Sequence, residues 1–266
     1  MHRSYLFAPG HNAKLLRKVF DAGADAVILD LEDAVPAAAK TAARSMVVDT
    51  LRHHPAWVRV NAPGTAQCAA DLEAVASLAL GIRVPKTESA DDVRWVADRA
   101  PGTPLVCSIE TARGVLAAQE IAAVPGVRHL GMGGVDLQRD LNTGPGNLQT
   151  LYVRSHLVIA SRAAGIGPPI DTVYPHLDDV AGLREQAEFA RSLGFFGKSA
   201  IHPRQLAAIH DTFTPSEDEL QWAHDVIAAF EVAGGGALQL TTGEFVDEPV
   251  ADRARRLLEL SGSLSA

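Results

Sequence analysis

Two acidic residues, Glu110 and Asp136, stand where short apolar runs give way to helical stretches. The first closes Leu105-Val106-Cys107-Ser108-Ile109-Glu110, and the second follows Leu130-Gly131-Met132-Gly133-Gly134-Val135. Paired carboxylates suit a hard divalent cation. Mg²⁺ takes one or two of them and completes its octahedron with water and substrate oxygens. Mn²⁺ suits the same oxygen ligands. The plainer alternative for either residue is a helix cap or a surface acid, since acids favour helix starts. Two such acids after successive apolar runs favour the metal.

Other charged residues fall at similar places. Asp30, Glu32 and Asp33 crowd three acids into four positions. Like charges this close raise one another's pKa unless a cation or an arginine stands near. They either support a metal and its waters or form a solvated loop and a helix cap ahead of Pro36. Glu32 is the one expected to face the site, and it joins the catalytic candidates. Arg59 interrupts the apolar run Val58-Arg59-Val60. A guanidinium there needs a partner or a ligand. It reads as an anion clamp that stabilises an enolate oxygen, or as a structural ion pair to the acids at 30–33. Lys86 and Lys198 raise a rival chemistry, imine formation. His202, before Pro203, reads as a loop-orienting residue more than a general base.

These residues need a scaffold that brings strand ends together. Eight strand-like runs are legible: Ser4–Ala8, Ala26–Leu31, Trp57–Asn61, Gly81–Pro85, Leu105–Ile109, His129–Met132, Pro169–Val173 and Gly197–Ile201. Amphipathic stretches lie between them, including Ala13–Ala22, Ala37–His53, Asp91–Arg99, Arg113–Ala123, Tyr152–Ala164 and Leu177–Leu193. Such alternation indicates βαβ units and a parallel sheet. Eight units in 266 residues predict an α/β fold of the (β/α)₈ TIM-barrel type, whose active sites sit at the carboxyl ends of the strands. An open doubly wound sheet would want a GxGxxG turn after its first strand, and Ala8-Pro9-Gly10-His11-Asn12 lacks it. Two further helices follow, near Pro203–His210 and Pro215–Val232. The run Gly234-Gly235-Gly236 then marks a boundary between a catalytic domain over 1–233 and a tail over 234–266.

Net charge is −8, which argues against a nucleic-acid binder. No apolar run is long enough for a membrane span. Cys68 and Cys107, the only cysteines, are too few for a disulfide framework. The segment Met1-His2-Arg3-Ser4-Tyr5-Leu6-Phe7 lacks a signal-peptide core. A cytoplasmic setting is the expectation.

In order along the chain, several motifs together resemble the citrate lyase beta-subunit (CitE-like) family of the HpcH/HpaI aldolase superfamily, which includes malyl-CoA and citramalyl-CoA lyases. They are Arg3-Ser4-Tyr5-Leu6-Phe7-Ala8-Pro9-Gly10, Asp30-Leu31-Glu32-Asp33-Ala34-Val35, Val58-Arg59-Val60-Asn61-Ala62, Pro85-Lys86-Thr87-Glu88-Ser89, Ile109-Glu110-Thr111-Ala112-Arg113-Gly114, Val135-Asp136-Leu137, Asp171-Thr172-Val173-Tyr174, and Gly197-Lys198 with Ile201-His202-Pro203. The resemblance implies a Mg²⁺-dependent TIM barrel, assembled as a homotrimer or as several trimers. It places Glu110 and Asp136 as metal ligands and Arg59 on the enolate oxygen. It sets Lys14 and Lys18 on the phosphates of CoA or an acyl carrier. Asp247, in Phe245-Val246-Asp247-Glu248-Pro249, would act as an acid/base supplied by a neighbouring subunit. Two departures bear on substrate identity: Met132-Gly133-Gly134-Val135-Asp136 lacks the usual aromatic, and Asn142 takes a place that is usually glycine.

The expected activity is Mg²⁺-dependent carbon–carbon cleavage of a malyl-, citramalyl- or citryl-type thioester into an acyl thioester and a 2-oxo acid. The alternatives are a citrate lyase beta subunit acting on an acyl-carrier thioester, a metal-dependent aldolase on free 2-oxo acids, and a non-catalytic CoA- or metabolite-binding homologue.

Overall fold

The computed structural model describes residues 1–265. Its elements in chain order are β1 (Ser4–Pro9), α1 (Ala13–Lys18), β2 (Ala26–Asp30), α2 (Lys40–Leu51), β3 (Trp57–Arg59), α3 (Ala66–Val75), β4 (Gly81–Val84), α4 (Ala90–Ala97), β5 (Leu105–Ile109), α5 (Ala112–Leu116), α6 (Ala118–Ala122), β6 (Val127–Met132), α7 (Gly134–Leu141), α8 (Leu151–Ala163), α9 (Val180–Leu193), β7 (Lys198–Ala200), α10 (Leu206–Phe213), α11 (Glu217–Val232), β8 (Leu238–Gln239), β9 (Phe245–Val246) and α12 (Glu248–Ser265). Two compact units emerge, His2–Asp211 and Thr212 onward together with Met1.

In the first unit, seven parallel strands pair in the order β6-β5-β4-β3-β2-β1-β7. β2, β4 and β5 are buried along their whole length, as expected of strands covered on both faces. The sheet curls. Tyr5, Ala26, Ile28, Val106 and Ile170 form one buried cluster, although β1 and β5 stand four places apart in the strand order. Helix starts are fixed by polar side chains at the strand–helix turns. Asn12, Thr65, Ser89, Thr111 and Asp179 each accept a first-turn N–H, satisfying donors that lack an intrahelical partner.

The run expected as a strand over Pro169–Val173 forms only two bridges. Ile170 pairs with Gly131 of β6, and Asp171 with Lys198 of β7. Four backbone hydrogen bonds of 2.9 Å hold the segment: Met132 N–H to Ile170, Ile170 N–H to Leu130, Asp171 N–H to Gly197, and Ser199 N–H to Asp171. Pro168 and Pro169 have no N–H to offer a ladder, which keeps the segment short.

Asp171 is also pinned through its side chain. Its Oδ2 accepts from Lys198 Nζ at 2.5 Å, and its Oδ1 from Arg154 Nη2 at 3.1 Å; all three side chains are buried. Burial alone would raise the Asp171 pKa, but the two cations hold it below the usual carboxylate value. Gln186 accepts a second hydrogen bond from Lys198 Nζ at 2.6 Å.

The second unit is an α-hairpin with a short β-ribbon. Ala223, Val226 and Phe230 of α11 pack with Val246, Ala251 and Ala254. Ser216 and Glu219 form a reciprocal capping box at the start of α11. The glycines read from the sequence as the domain boundary lie inside this unit. Gly234 and Gly235 take φ values of 66° and 80°, the left-handed turn that ends a helix at little cost. The division falls instead between Asp211 and Thr212, because the apolar stripe of α11 is covered by the tail. No helix among the described residues is long and apolar enough to cross a membrane.

Asp171→Ala would leave Lys198 and Arg154 buried without a counter-ion. Removing one partner of a buried ion pair costs about 3–5 kcal/mol, so the urea midpoint should fall accordingly. A variant as stable as the wild type would show that the triad does not hold this segment.

Candidate active site

The carboxyl ends of the strands gather most of the charges read from the sequence. Arg59 ends β3 beside Asp30 at the end of β2; the two are register partners. Arg59 Nε and Nη2 each donate to one oxygen of Asp30 at 2.7 Å, the two-point geometry that suits a guanidinium. The same carboxylate accepts the N–H groups of Glu32 at 2.9 Å and Ala34 at 3.2 Å. Asp30 therefore orients Arg59 and shapes the following turn together. Burial would lower the Arg59 pKa, but Asp30, Glu32 and Asp33 raise it.

Glu32 turns into the site and is buried. Its Oε2 stands 3.0 Å from Arg59 Nη1 but makes no well-formed hydrogen bond. Lys86 Nζ binds Glu32 Oε1 and lies 3.0 Å from Asp33 Oδ1. Burial raises the Glu32 pKa against the pull of Arg59 and Lys86. Lys86 itself is raised; its acidic partners outweigh burial. Lys86 holds φ at 48°, in the left-handed region that a side chain enters only when its surroundings fix it. Both lysines of the imine alternative are thus engaged with carboxylates, Lys86 here and Lys198 in the triad with Asp171.

Glu110 follows β5 and is buried. Its Oε2 has no hydrogen-bond partner. Burial, with the charges of Glu32 and Asp136, pushes its pKa up to about 7 against Arg59 and Lys86. Asp136 stands differently from the strand end expected. β6 stops at Met132, and Asp136 lies in the first turn of α7 rather than at the strand end, because the helix already starts at Gly134. Its carboxylate pairs with Arg139 at 2.8 Å; Arg139 is largely exposed, and such surface pairs are weak. Glu110 and Asp136 line one cavity of about 70 Å³ with Phe7, Arg59, Arg83 and Thr172.

These two carboxylates fit a hard cation. They repel each other, one carries an unsatisfied buried oxygen, and no nearby carbonyl or amide supplies the missing partner. No group of three or more acidic, His or Cys side chains among the described residues is arranged to hold a metal. A cation here would take its other ligands from water and substrate, as Mg²⁺ does.

Glycines keep the space open. A Cβ at Gly133 would overlap the Glu110 side chain. Gly134 N–H donates to Thr172 Oγ1 at 2.9 Å, anchoring the start of α7, which has no side-chain cap. At the far end of α7, Asn142 takes φ 52° and so performs the helix-ending role for which the resemblance expects glycine.

Other residues singled out from the sequence lie elsewhere. Lys14 and Lys18 are exposed on α1. His202 caps a short 3₁₀ turn, its Nδ1 accepting from Arg204 N–H. Asp247 belongs to the second unit and accepts the Val250 N–H just ahead of α12. Two contributors went unread. Lys40 of α2 donates at 2.7 Å to the Leu31 and Glu32 carbonyls and to Asn61 Oδ1, tying the β2 and β3 ends together. Arg83 of β4 is buried in the sheet interior. Its signal was available, since it interrupts an apolar run just as Arg59 does.

The profile of the HpcH/HpaI aldolase/citrate lyase family matches residues 3–203. This chain belongs to that family and is an enzyme. The citrate lyase subunit beta of Escherichia coli K12 is 38% identical, over 98% of this chain and 94% of that protein. A (3S)-malyl-CoA thioesterase of Cereibacter sphaeroides is also 38% identical, over 99% and 96%. The crystal structure of CitE from Mycobacterium tuberculosis with magnesium, acetoacetate and coenzyme A is 36% identical and superposes with a TM-score of 0.84 over 97% of each chain.

Gly133→Ala should displace Glu110 and weaken Mg²⁺ binding about 10- to 100-fold, read by calorimetry, with the circular dichroism spectrum retained. Unchanged affinity would remove Glu110 from the cation site.

Proposed function

We propose that the protein is a Mg²⁺-dependent carbon–carbon lyase that cleaves a β-hydroxyacyl thioester of the malyl, citramalyl or citryl type into an acyl thioester and a 2-oxo acid. One observation carries it: the buried, unsatisfied Glu110 carboxylate, facing Asp136 in a cavity that also holds Arg59. The magnesium, acetoacetate and coenzyme A held by the M. tuberculosis relative support both the cation and a thioester carrier.

In this proposal the scaffold is a closed (β/α)₈ barrel whose remaining stave is the short segment bridging β6 and β7. Glu110 and Asp136 hold the cation, which acidifies the substrate hydroxyl and binds the 2-oxo acid product. The Val135 and Asp136 N–H groups in the first turn of α7, whose N-cap Gly133 offers no side chain, receive the product carboxylate. Loss of the hydroxyl proton forms the carbonyl and breaks the adjacent carbon–carbon bond. The bonding pair goes to the thioester half as an enolate. Arg59, held by Asp30 through Nε and Nη2, directs Nη1 to the enolate oxygen. Glu32 sets the position of Nη1 and is the base that takes the hydroxyl proton. Lys14 and Lys18 meet the phosphates of CoA or an acyl carrier. Asp247, from a neighbouring subunit of a homotrimer, protonates the enolate carbon and completes the acyl thioester. Two buried free cysteines accord with a reducing, cytoplasmic setting.

Malyl-, citramalyl- and citryl-CoA, each with Mg²⁺ and with EDTA, test this directly. One of them should yield a 2-oxo acid and an intact acyl thioester only when Mg²⁺ is present. Release of free thiol without a 2-oxo acid would make the protein a thioesterase and overturn the lyase. Mixing inactive Glu110→Gln and Asp247→Asn subunits should restore part of the turnover; no recovery would place Asp247 outside the neighbour's site.

A further inference from the structure

The small cavity that holds the carboxylate pair adjoins a larger one. Val135, Thr172 and Val173 line both, and the second has a volume of about 1050 Å³. It lies between the first turns of α7, the turn at 145–147, the segment that follows Val173, and the start of α9. A space of this size takes an organic group well beyond a methyl. Its α9 side is fixed by hydrogen bonds. The Tyr174 hydroxyl donates to Asp179 Oδ2 at 2.5 Å, and the Tyr174 carbonyl accepts from Gln205 Nε2 at 2.7 Å. A Cβ at Gly182 would come within 2.2 Å of that hydroxyl, so the glycine lets the phenol pack against α9.

The lining decides what that group can be. Asp178, Asp179 and Glu185 line the larger cavity, and no lysine or arginine does. Arg204 reaches Asp178 only at 3.5 Å, with both side chains largely exposed, and such a pair neutralises little. Lys198, behind the wall, is held by Asp171 and Gln186. A phosphate chain or a second carboxylate would therefore meet like charge. At the strand ends Arg59, Arg83 and Lys86 are matched in number by Asp30, Glu32 and Asp33, so no spare cation there calls for another anion. Apolar surface is available instead. Val135 is 54% exposed and Leu177 37%, and Pro145 and Pro175 are exposed on the same walls. Covering such surface with an aliphatic group is favourable.

The larger cavity shares its walls with α7 and with residues 172–173, and not with Phe7, Arg59 or Glu110. In the proposed reaction Arg59 receives the thioester half and the first turn of α7 receives the carboxylate of the 2-oxo acid half. The larger cavity thus adjoins the 2-oxo acid half. We infer that it takes the side chain of that half, and that the enzyme acts on thioesters whose cleavage releases a 2-oxo acid with an extended, uncharged side chain. This rests on the lyase reading and extends its citramalyl type, in which a methyl group stands at this place. The thioester carrier, with its phosphates, is kept out of the cavity by the same acids and lies toward Lys14 and Lys18 of α1.

Binding separates this inference from the lyase chemistry. Calorimetry of the Mg²⁺-loaded protein compares pyruvate, 2-oxobutyrate, 2-oxovalerate and 2-oxoglutarate. Affinity should rise about 3- to 4-fold with each added methylene, so that 2-oxovalerate binds about 10-fold more tightly than pyruvate. 2-Oxoglutarate, whose chain ends in a carboxylate, should bind about 10-fold more weakly than 2-oxovalerate, because it brings like charge to the acidic wall. Gln138→Trp, which fills the cavity from α7, should remove the gain with chain length and keep the pyruvate affinity. Affinity that is flat or falls with length in the wild type, or tighter binding of 2-oxoglutarate than of 2-oxovalerate, would overturn the assignment whether or not Gln138→Trp folds. A gain with length that survives in folded Gln138→Trp would overturn it as well. A rising series in a protein that cleaves no thioester would leave the side-chain cavity standing and remove the lyase.

Discussion

Arg59 and Asp30 lie side by side on neighbouring strands, and their two-point pair organises the charge around it. Asp30 holds the arginine with both oxygens and the backbone of the next turn with the same two atoms. That turn carries Glu32 inward, where Lys86 meets it. Arg59 Nη1 is the part of the fork directed away from Asp30, toward Glu32 and the cavity. A lysine in place of Arg59 offers one point charge and cannot fix both partners.

Around this pair the site sets carboxylates against too few cations. Glu110 is the clearest case: buried, unsatisfied, and with its pKa carried up to about 7 by burial and by the acids near it. Protein interiors rarely leave such an oxygen without a partner. In the proposed site a divalent cation would be that partner, and the half-buried Asp136 opposite would supply a second ligand. The glycines at 131, 133 and 134 have a shared role here. Each leaves space that a neighbour's side chain occupies, namely Arg83, Glu110 and Thr172.

Much of this was legible in the sequence. Alternating apolar runs and amphipathic stretches located all seven strands of the sheet, because strands buried on both faces read as continuous apolar runs. The acids and Arg59 were legible for the same reason: a charge that ends or interrupts such a run has no solvent to go to. Asp136 misled in one respect, since a Gly-Gly pair gives no periodicity from which to place a helix start. The Pro169–Val173 run reads as a full strand in the sequence, but Pro169 and the preceding Pro168 limit it to two bridges. The boundary at Gly234 followed from composition alone, whereas the apolar stripe of α11 belongs to the tail's core. Lys40 gave no local signal, because its partners are carbonyls and an amide far along the chain. The triad of Arg154, Asp171 and Lys198 was half legible; Arg154 sits in a helix of ordinary composition.

The cation site is the centre of this account, and magnesium binding by the isolated protein examines it without assuming any substrate. Calorimetric titration of Mg²⁺ into the wild type and into Glu110→Gln should show one site per chain in the first and none of comparable affinity in the second, with both proteins folded. Equal binding by the two would contradict the assignment of Glu110 and Asp136 as the metal pair.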